Sequence, residues 1–217
     1  MSNVKNSIKK ISFVLLAIFT SLSIYYYFAI FNSVTEVEAS ASYLGFDDVN
    51  SLTEDAELVA LVTPTKDFLD REHVIKTYET GAIEDFYTLT DINVSKVFKG
   101  DKAISRNLEI VEPISLLQTL EGKYKINMEG YTEMEKGKEY VVFLRKNYMG
   151  NYAIINMAEG KFEIEEIKSL TSSVTDSVYS VVDDVYPSVL SKNENSQALQ
   201  SPREQLASQI KQKFFYE

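Results

Sequence analysis

The chain contains no cysteine, which removes disulfides, zinc–thiolate sites, lipidation at a lipobox and thiol nucleophiles together. Whatever fold forms is held by its core alone. Proline and glycine are scarce, 4 and 8 residues, against 14 tyrosines and 12 phenylalanines. That balance favours strands over linker-like sequence. Histidine occurs once, as His73. A glycine-rich phosphate loop and a G-x-S-x-G nucleophile elbow are both missing, which leaves nucleotide and serine-hydrolase chemistry without their usual sequence supports. Charge is missing from every position between Lys10 and Glu36.

What is present begins with that uncharged stretch. Residues 11–31, ISFVLLAIFTSLSIYYYFAIF, span about 30 Å as a helix, the thickness of a bilayer's hydrocarbon core. Lys5, Lys9 and Lys10 precede it, and Glu36, Glu38, Asp47, Asp48, Glu54, Asp55 and Glu57 follow it before the next base, Lys66. The positive-inside rule then predicts a cytoplasmic N-terminus at 1–10 and an extracytoplasmic body, with Tyr25, Tyr26 and Tyr27 at the outer interface. Ala39-Ser40-Ala41 offers the alternative of a cleaved signal peptide. The apolar run is longer than a signal core and the alanine site lies well beyond its end, so the uncleaved anchor is preferred. Either reading exports residues 42–217.

The 217 residues carry −10 overall. The three lysines are the only charges in the first ten residues, so the remainder carries −13. Such a body repels phosphate backbones and argues against nucleic acid as a partner.

Along the body, 45% apolar composition supports one domain with a core, expected at 46–167 after a linker at 32–45. Phe46, Val49 and Leu52, with Ser51 and Glu54 in S-x-x-E order, predict a short helix near 47–55. ELVALVTPT (57–65) reads as a strand closed by Pro64. Residues 66–84 read mostly as a long loop with a weak strand near HVIKTY. FYTLTDINVSKVFKGD (86–101) is the longest strand, and its apolar parity changes from Tyr87/Leu89 to Ile92/Val94, predicting a bulge near Thr90-Asp91. NLEIVEP and KYKINME are further strands, and 113–122 reads as a loop between them. In Tyr140–Lys146 both parities are apolar, which predicts a central strand. Asn147–Asn151 makes its turn, with Gly150 free to take positive φ, before a return at Tyr152–Met157 and a last strand, KFEIE.

Residues 168–200 form a serine- and valine-rich extension. Val174, Val178, Val181, Val182 and Val185 recur at helical spacing, with Ser173 and Asp176 as a cap and Pro187 as a stop. Ser201-Pro202-Arg203-Glu204 is a helix start with cap, N1 proline and capping-box glutamate. Leu206, Ile210 and Phe214 give this C-terminal helix, at 201–217, one apolar stripe that docks on the body.

The order ELVALVT, TDINVSKVFKGD, KGKEYVVFLRKNYMGNYAII and EGKFEI, across residues 55–165, resembles exported proteins of Gram-positive bacteria with an OB-type barrel, similar to that of tissue inhibitors of metalloproteinases and netrin modules. The resemblance implies a mainly β, OB-like, closed or partly open antiparallel barrel. The inhibitors chelate zinc through an N-terminal cysteine that this chain lacks, so their mechanism and residues do not carry over.

Candidate chemistry is sparse. His73 stands beside Asp67, Asp70 and Glu72 at spacings that match no metal-ligand pattern and reads as an exposed loop histidine. The pairs Asp183-Asp184 and Glu165-Glu166 are neighbours that do not converge. Ser191-Lys192 adjoins a linker. Asn93-Val94-Ser95 is a sequon placed mid-strand. Lys96, Lys99, Lys102 and Arg106 cluster near the KG turn and read as a solvated loop. No catalytic, cofactor-binding or metal-ligating residue is assigned, and no cofactor is expected. The expectation is a membrane-anchored, extracytoplasmic binding module, tethered by 11–31, presenting loops 66–84 and 113–122 to a protein or cell-envelope partner. The alternative is a cysteine-independent protease inhibitor or a secreted hydrolase, the latter requiring a pocket with converging polar groups near His73.

Overall fold

A computed structural model describes residues 2–40, 45–46, 48–169 and 201–216. Helix α1 (Ser2–Tyr25) runs on through a π-helical turn, Tyr26–Phe31. Its stretch Lys9–Phe31 is long and apolar enough to cross a membrane and, among the described residues, is exposed over most of its length. Three of its polar side chains are satisfied internally. Thr20, Ser21 and Ser23 donate to the carbonyls of Leu16, Ala17 and Phe19, at 2.8, 2.8 and 2.9 Å. A span in lipid requires that arrangement, because no water is present to serve instead.

The helix leads directly into β1 (Val34–Ala39), which pairs in parallel with β7 (Gly122–Met128). The segment read as a linker at 32–45 therefore contains a six-residue strand, formed because the free edge of β7 offers its backbone groups to it. Strand β6 (Ile114–Thr119) pairs with the other edge of β7. The loop expected at 113–122 is thus half of a hairpin, and β1-β7-β6 is a three-stranded sheet.

The body is a closed barrel of five strands: β2 (Leu58–Pro64), β4 (Ile83–Lys99), β5 (Asn107–Glu112), β9 (Tyr152–Ile154) and β8 (Tyr140–Lys146). Neighbours pair in that order and β8 closes on β2. All pairs are antiparallel except β5 with β9. The mainly β barrel between an N-terminal apolar helix and a C-terminal helix is what the sequence leads one to expect. Strand β3 (Glu72–Thr77) pairs with the first half of β4, so 66–84 is mostly hairpin rather than loop. Strand β10 (Lys161–Glu163) pairs antiparallel with Tyr140–Val142 of β8, ahead of the stretch that pairs with β9. KFEIE ends as a strand at Glu163, and Ile164 begins α3 (Ile164–Ser169).

The bulge expected at Thr90-Asp91 is absent there, where β4 pairs with β5 without a break. The irregularities lie to either side, earlier where Thr77 of β3 pairs with β4 and later where β4 pairs with β2. Phe86, Thr88, Thr90 and Ile92 all face inward. The apparent change of apolar parity arose because two inward positions are threonine, not because the strand shifts.

Two cores follow from the alternation. Leu58, Ala60 and Val62 of β2 and Tyr140, Val142 and Leu144 of β8 point into the barrel with Ile92, Ile110 and Ile154. Val59, Val141 and Phe143, on the opposite parity, lie under helices α2 (Val49–Asp55), α3 and α4 (Pro202–Phe215). Both faces of β2 and β8 are thus buried, as the doubly apolar pattern requires. Asp48 caps α2, accepting from the amides of Asn50 and Ser51 at 2.8 and 3.1 Å, in place of the S-x-x-E start at Ser51. Helix α4 carries the expected Ser201/Glu204 capping box. Its Leu206 and Ile210 are buried on the barrel and Phe214 packs beside them. At Gly160 an added Cβ would lie 1.7 Å from the Ile155 carbonyl oxygen, so only glycine lets the two backbones cross before β10. The valine-rich helix around Val174–Val185, its Ser173 and Asp176 cap, Asp183-Asp184 and Ser191-Lys192 lie outside the described residues.

Candidate functional site

The densest polar constellation sits inside the body. Arg71, immediately before β3, and Glu112, at the end of β5, are both buried and form an ion pair of 2.7 Å. The Glu112 carboxylate also accepts from the Thr90 hydroxyl at 2.6 Å, the Tyr131 hydroxyl at 2.8 Å and the Met134 amide at 2.9 Å. The guanidinium donates to the Lys66 carbonyl through two nitrogens, at 3.1 and 3.0 Å, and to the Met134 carbonyl. Buried charge is tolerable only when paired and bonded to this extent. Burial, and then the Glu112 carboxylate, push the Tyr131 phenol well above its ordinary range, so it stays a donor. Every group in this hub is committed to another, and the hub ties β3, β4, β5 and the segment before β8 together. The sequence signal for it was available: Glu112 shares its parity with Leu108 and Ile110, and an acid on the apolar side of a strand needs a buried partner.

A second cluster opens to solvent. A cleft of about 360 Å³ is lined by Thr132, Glu133, Tyr140, Lys161, Glu166 and Arg203, among others. Lys161 is only 5% exposed. Burial draws its ammonium down to about 8, opposed by Glu112 and assisted by Arg203. Its Nζ donates to the Thr132 carbonyl and lies 4.4 Å from the Tyr131 ring centre and 5.6 Å from that of Tyr140. Arg203 from α4 grips Glu166 of α3 with two nitrogens, at 2.6 and 2.9 Å. Glu166 therefore works with Arg203 and not with its neighbour Glu165. Burial pulls the Glu133 carboxyl upward, but Lys125, 2.6 Å away, holds it below the usual value.

His73 is not on a loop. It lies on β3 opposite Thr88 and is half-buried, with Nδ1 at 3.0 Å from the Thr88 hydroxyl and its ring edge-on to Phe68 at 4.7 Å. Burial lowers its pKa. Asp67 is engaged by Lys136 at 3.0 Å, and among the described residues no three histidines or acids gather as metal ligands. The cleft at Lys161 does not include His73. Of the basic cluster, Lys99 donates to the Thr53 and Glu54 carbonyls at 2.7 and 3.0 Å, where the negative end of α2 favours a cation. Lys96 lies over the Phe98 ring, 4.8 Å from its centre.

The exposed tips differ in character. Tyr148 and Met149 stand out from the β8–β9 turn, Tyr148 being 85% exposed. Tyr78 projects from the β3–β4 hairpin. Lys76 of that hairpin reaches the Tyr148 hydroxyl at 3.4 Å, so the two tips lie side by side. No protein-family model matches the sequence, and no curated protein matches it either.

Proposed function

We propose that the protein is a membrane-anchored, extracytoplasmic interaction module, an OB-type barrel that binds a protein or envelope partner and performs no chemistry of its own. The observation that carries this reading is the junction between helix and body. An exposed apolar helix passes without a free linker into β1, which is paired over six residues with β7. The exposed helix supports a role as a tether, and the paired strand makes that tether rigid. Lysines before the span and acids after it support an outward-facing body. Cleavage after Ala41 would detach β1 from the sheet it completes, where Ala39 still accepts from the Glu129 amide at 3.1 Å, which favours an uncleaved anchor. The aromatic tips at Tyr78 and Tyr148 are the kind of rigid, amphipathic surface that proteins use for recognition. The likeness to exported Gram-positive barrel proteins agrees with this placement.

One observation favours the alternative hydrolase, the low-pKa amine of Lys161 in an acidic cleft. That amine already donates to Thr132 and rests on two tyrosine rings, so the binding reading accounts for more. A photocrosslinking residue at Met149 of the full chain, in intact membranes, tests it. The proposal expects a discrete adduct of defined mass. Turnover of an ester or peptide library by the purified chain, abolished by Lys161→Met, would contradict it.

A further inference from the structure

Resting on that anchored reading, we propose that the tip of the β6–β7 hairpin, Leu120, inserts into the outer-leaflet interface of the bilayer that α1 crosses. Thr119 pairs with Gly122, so Leu120 and Glu121 form a two-residue turn. Such turns favour glycine, asparagine and aspartate, which need no burial. Leucine here is 77% exposed among the described residues. The tip is also held firmly. The Thr119 hydroxyl donates to the Gly122 carbonyl at 2.9 Å and accepts from the Glu121 amide at 3.1 Å.

Its position relative to the anchor is fixed by hydrogen bonds. The Tyr26 hydroxyl donates to the Leu120 carbonyl at 2.7 Å, and the Gln118 amide nitrogen donates to the Phe31 carbonyl at 3.1 Å. Gly122 allows the close approach: a Cβ there would lie 2.5 Å from the Ser33 hydroxyl and 3.1 Å from the Ile30 carbonyl. Tyr26 lies five residues before Phe31, the end of the apolar span, a drop of at most about 7–8 Å, since this turn is π-helical and rises less per residue than an α-helix. With residues 11–31 matching the hydrocarbon core, the Tyr26 level lies just inside its outer boundary, next to the polar zone. The exposed rings of Tyr25, Tyr27 and Phe28 ring the helix in that stretch, as an interfacial belt does. Leu120 at that level meets lipid. Helix and tip together make two points of contact, which fix how the barrel stands on the membrane.

The absence of cysteine makes the test direct. The full chain carrying Leu120→Cys is labelled with an environment-sensitive fluorophore and reconstituted into phosphatidylcholine–phosphatidylglycerol vesicles. Phe19→Cys reports the anchor and Lys102→Cys the aqueous body. The proposal expects blue-shifted emission at position 120, and quenching by lipids carrying a shallow nitroxide at least threefold stronger than at 102. Quenching at 19 with a water-like signal at 120 would overturn this inference and leave the anchor standing. A blue-shifted probe at 120 that lipid nitroxides do not quench would overturn it in favour of a protein covering the tip. A water-like signal at 19 as well would overturn the anchor and this inference together.

Discussion

Lys161 shows how one side chain sets a pH dependence. Its ammonium is buried, and its folded-state pKa of about 8 lies below its ordinary 10.5. Below pH 8 both the folded and unfolded chains hold the proton, and the fold bears the cost of burying the charge. Between about pH 8 and 10 the folded chain releases the proton while the unfolded chain keeps it, so stability rises with pH. Urea unfolding of the detergent-solubilised chain, followed by circular dichroism, is expected to gain about 2 kcal/mol between pH 7 and 9.5. In Lys161→Met the gain should vanish. Above pH 10 the trend turns, because Tyr131 keeps its proton in the fold after the unfolded chain has lost it. His73 acts in the same sense on the acid side. Its lowered pKa means that the unfolded chain protonates first, and stability falls as pH drops through 6.5. Arg71 and Glu112 are joined to each other and to Thr90, Tyr131 and Met134 within the same hub.

Elements differ in how far they can be read from residues alone. β2 and β8 were legible because both parities are apolar, a pattern only a doubly covered strand satisfies. The C-terminal helix was legible because its cap, first-position proline and stripe agree with one another. β1 and β6 were not, and β3 was read only as a weak strand near HVIKTY, because V-T-E-V-E-A, E-H-V-I-K-T and I-S-L-L-Q-T carry weak or mixed alternation. Their strand character comes from the edges of β7 and β4, which lie far away in sequence. The Lys161 cleft was illegible for the same reason: its walls come from the segment before β8, from β10 and from α4. His73 was misplaced because its cover, Phe68 and Thr88, comes from flanking elements and not from its own strand pattern. Helix α4 belongs to the outer core, since Leu206, Ala207 and Ile210 are at most 1% exposed. Ile210→Ala is expected to cost about 2–5 kcal/mol in the same unfolding measurement. Lys211→Ala, at the side of the helix, should stay within about 0.5 kcal/mol. Equal effects would mean that α4 merely lies on the surface.

At the scale of the whole molecule, an apolar rod is joined through a small sheet to a closed barrel whose aromatic tips face solvent. The barrel needs no disulfide because two cores, one inside the ring and one beneath the helices, share the strands β2 and β8. In the proposed topology the acidic body and the three lysines ahead of the span lie on opposite sides of a membrane. The direct measurement is thiol accessibility in intact cells, since any label must arise from the one cysteine introduced. With a membrane-impermeant maleimide, the account predicts that Tyr148→Cys reacts in intact cells, that Asn6→Cys reacts only after lysis, and that both remain with the membrane fraction. Labelling of Asn6→Cys in intact cells with Tyr148→Cys protected, or recovery of the labelled body as a soluble fragment, would contradict it.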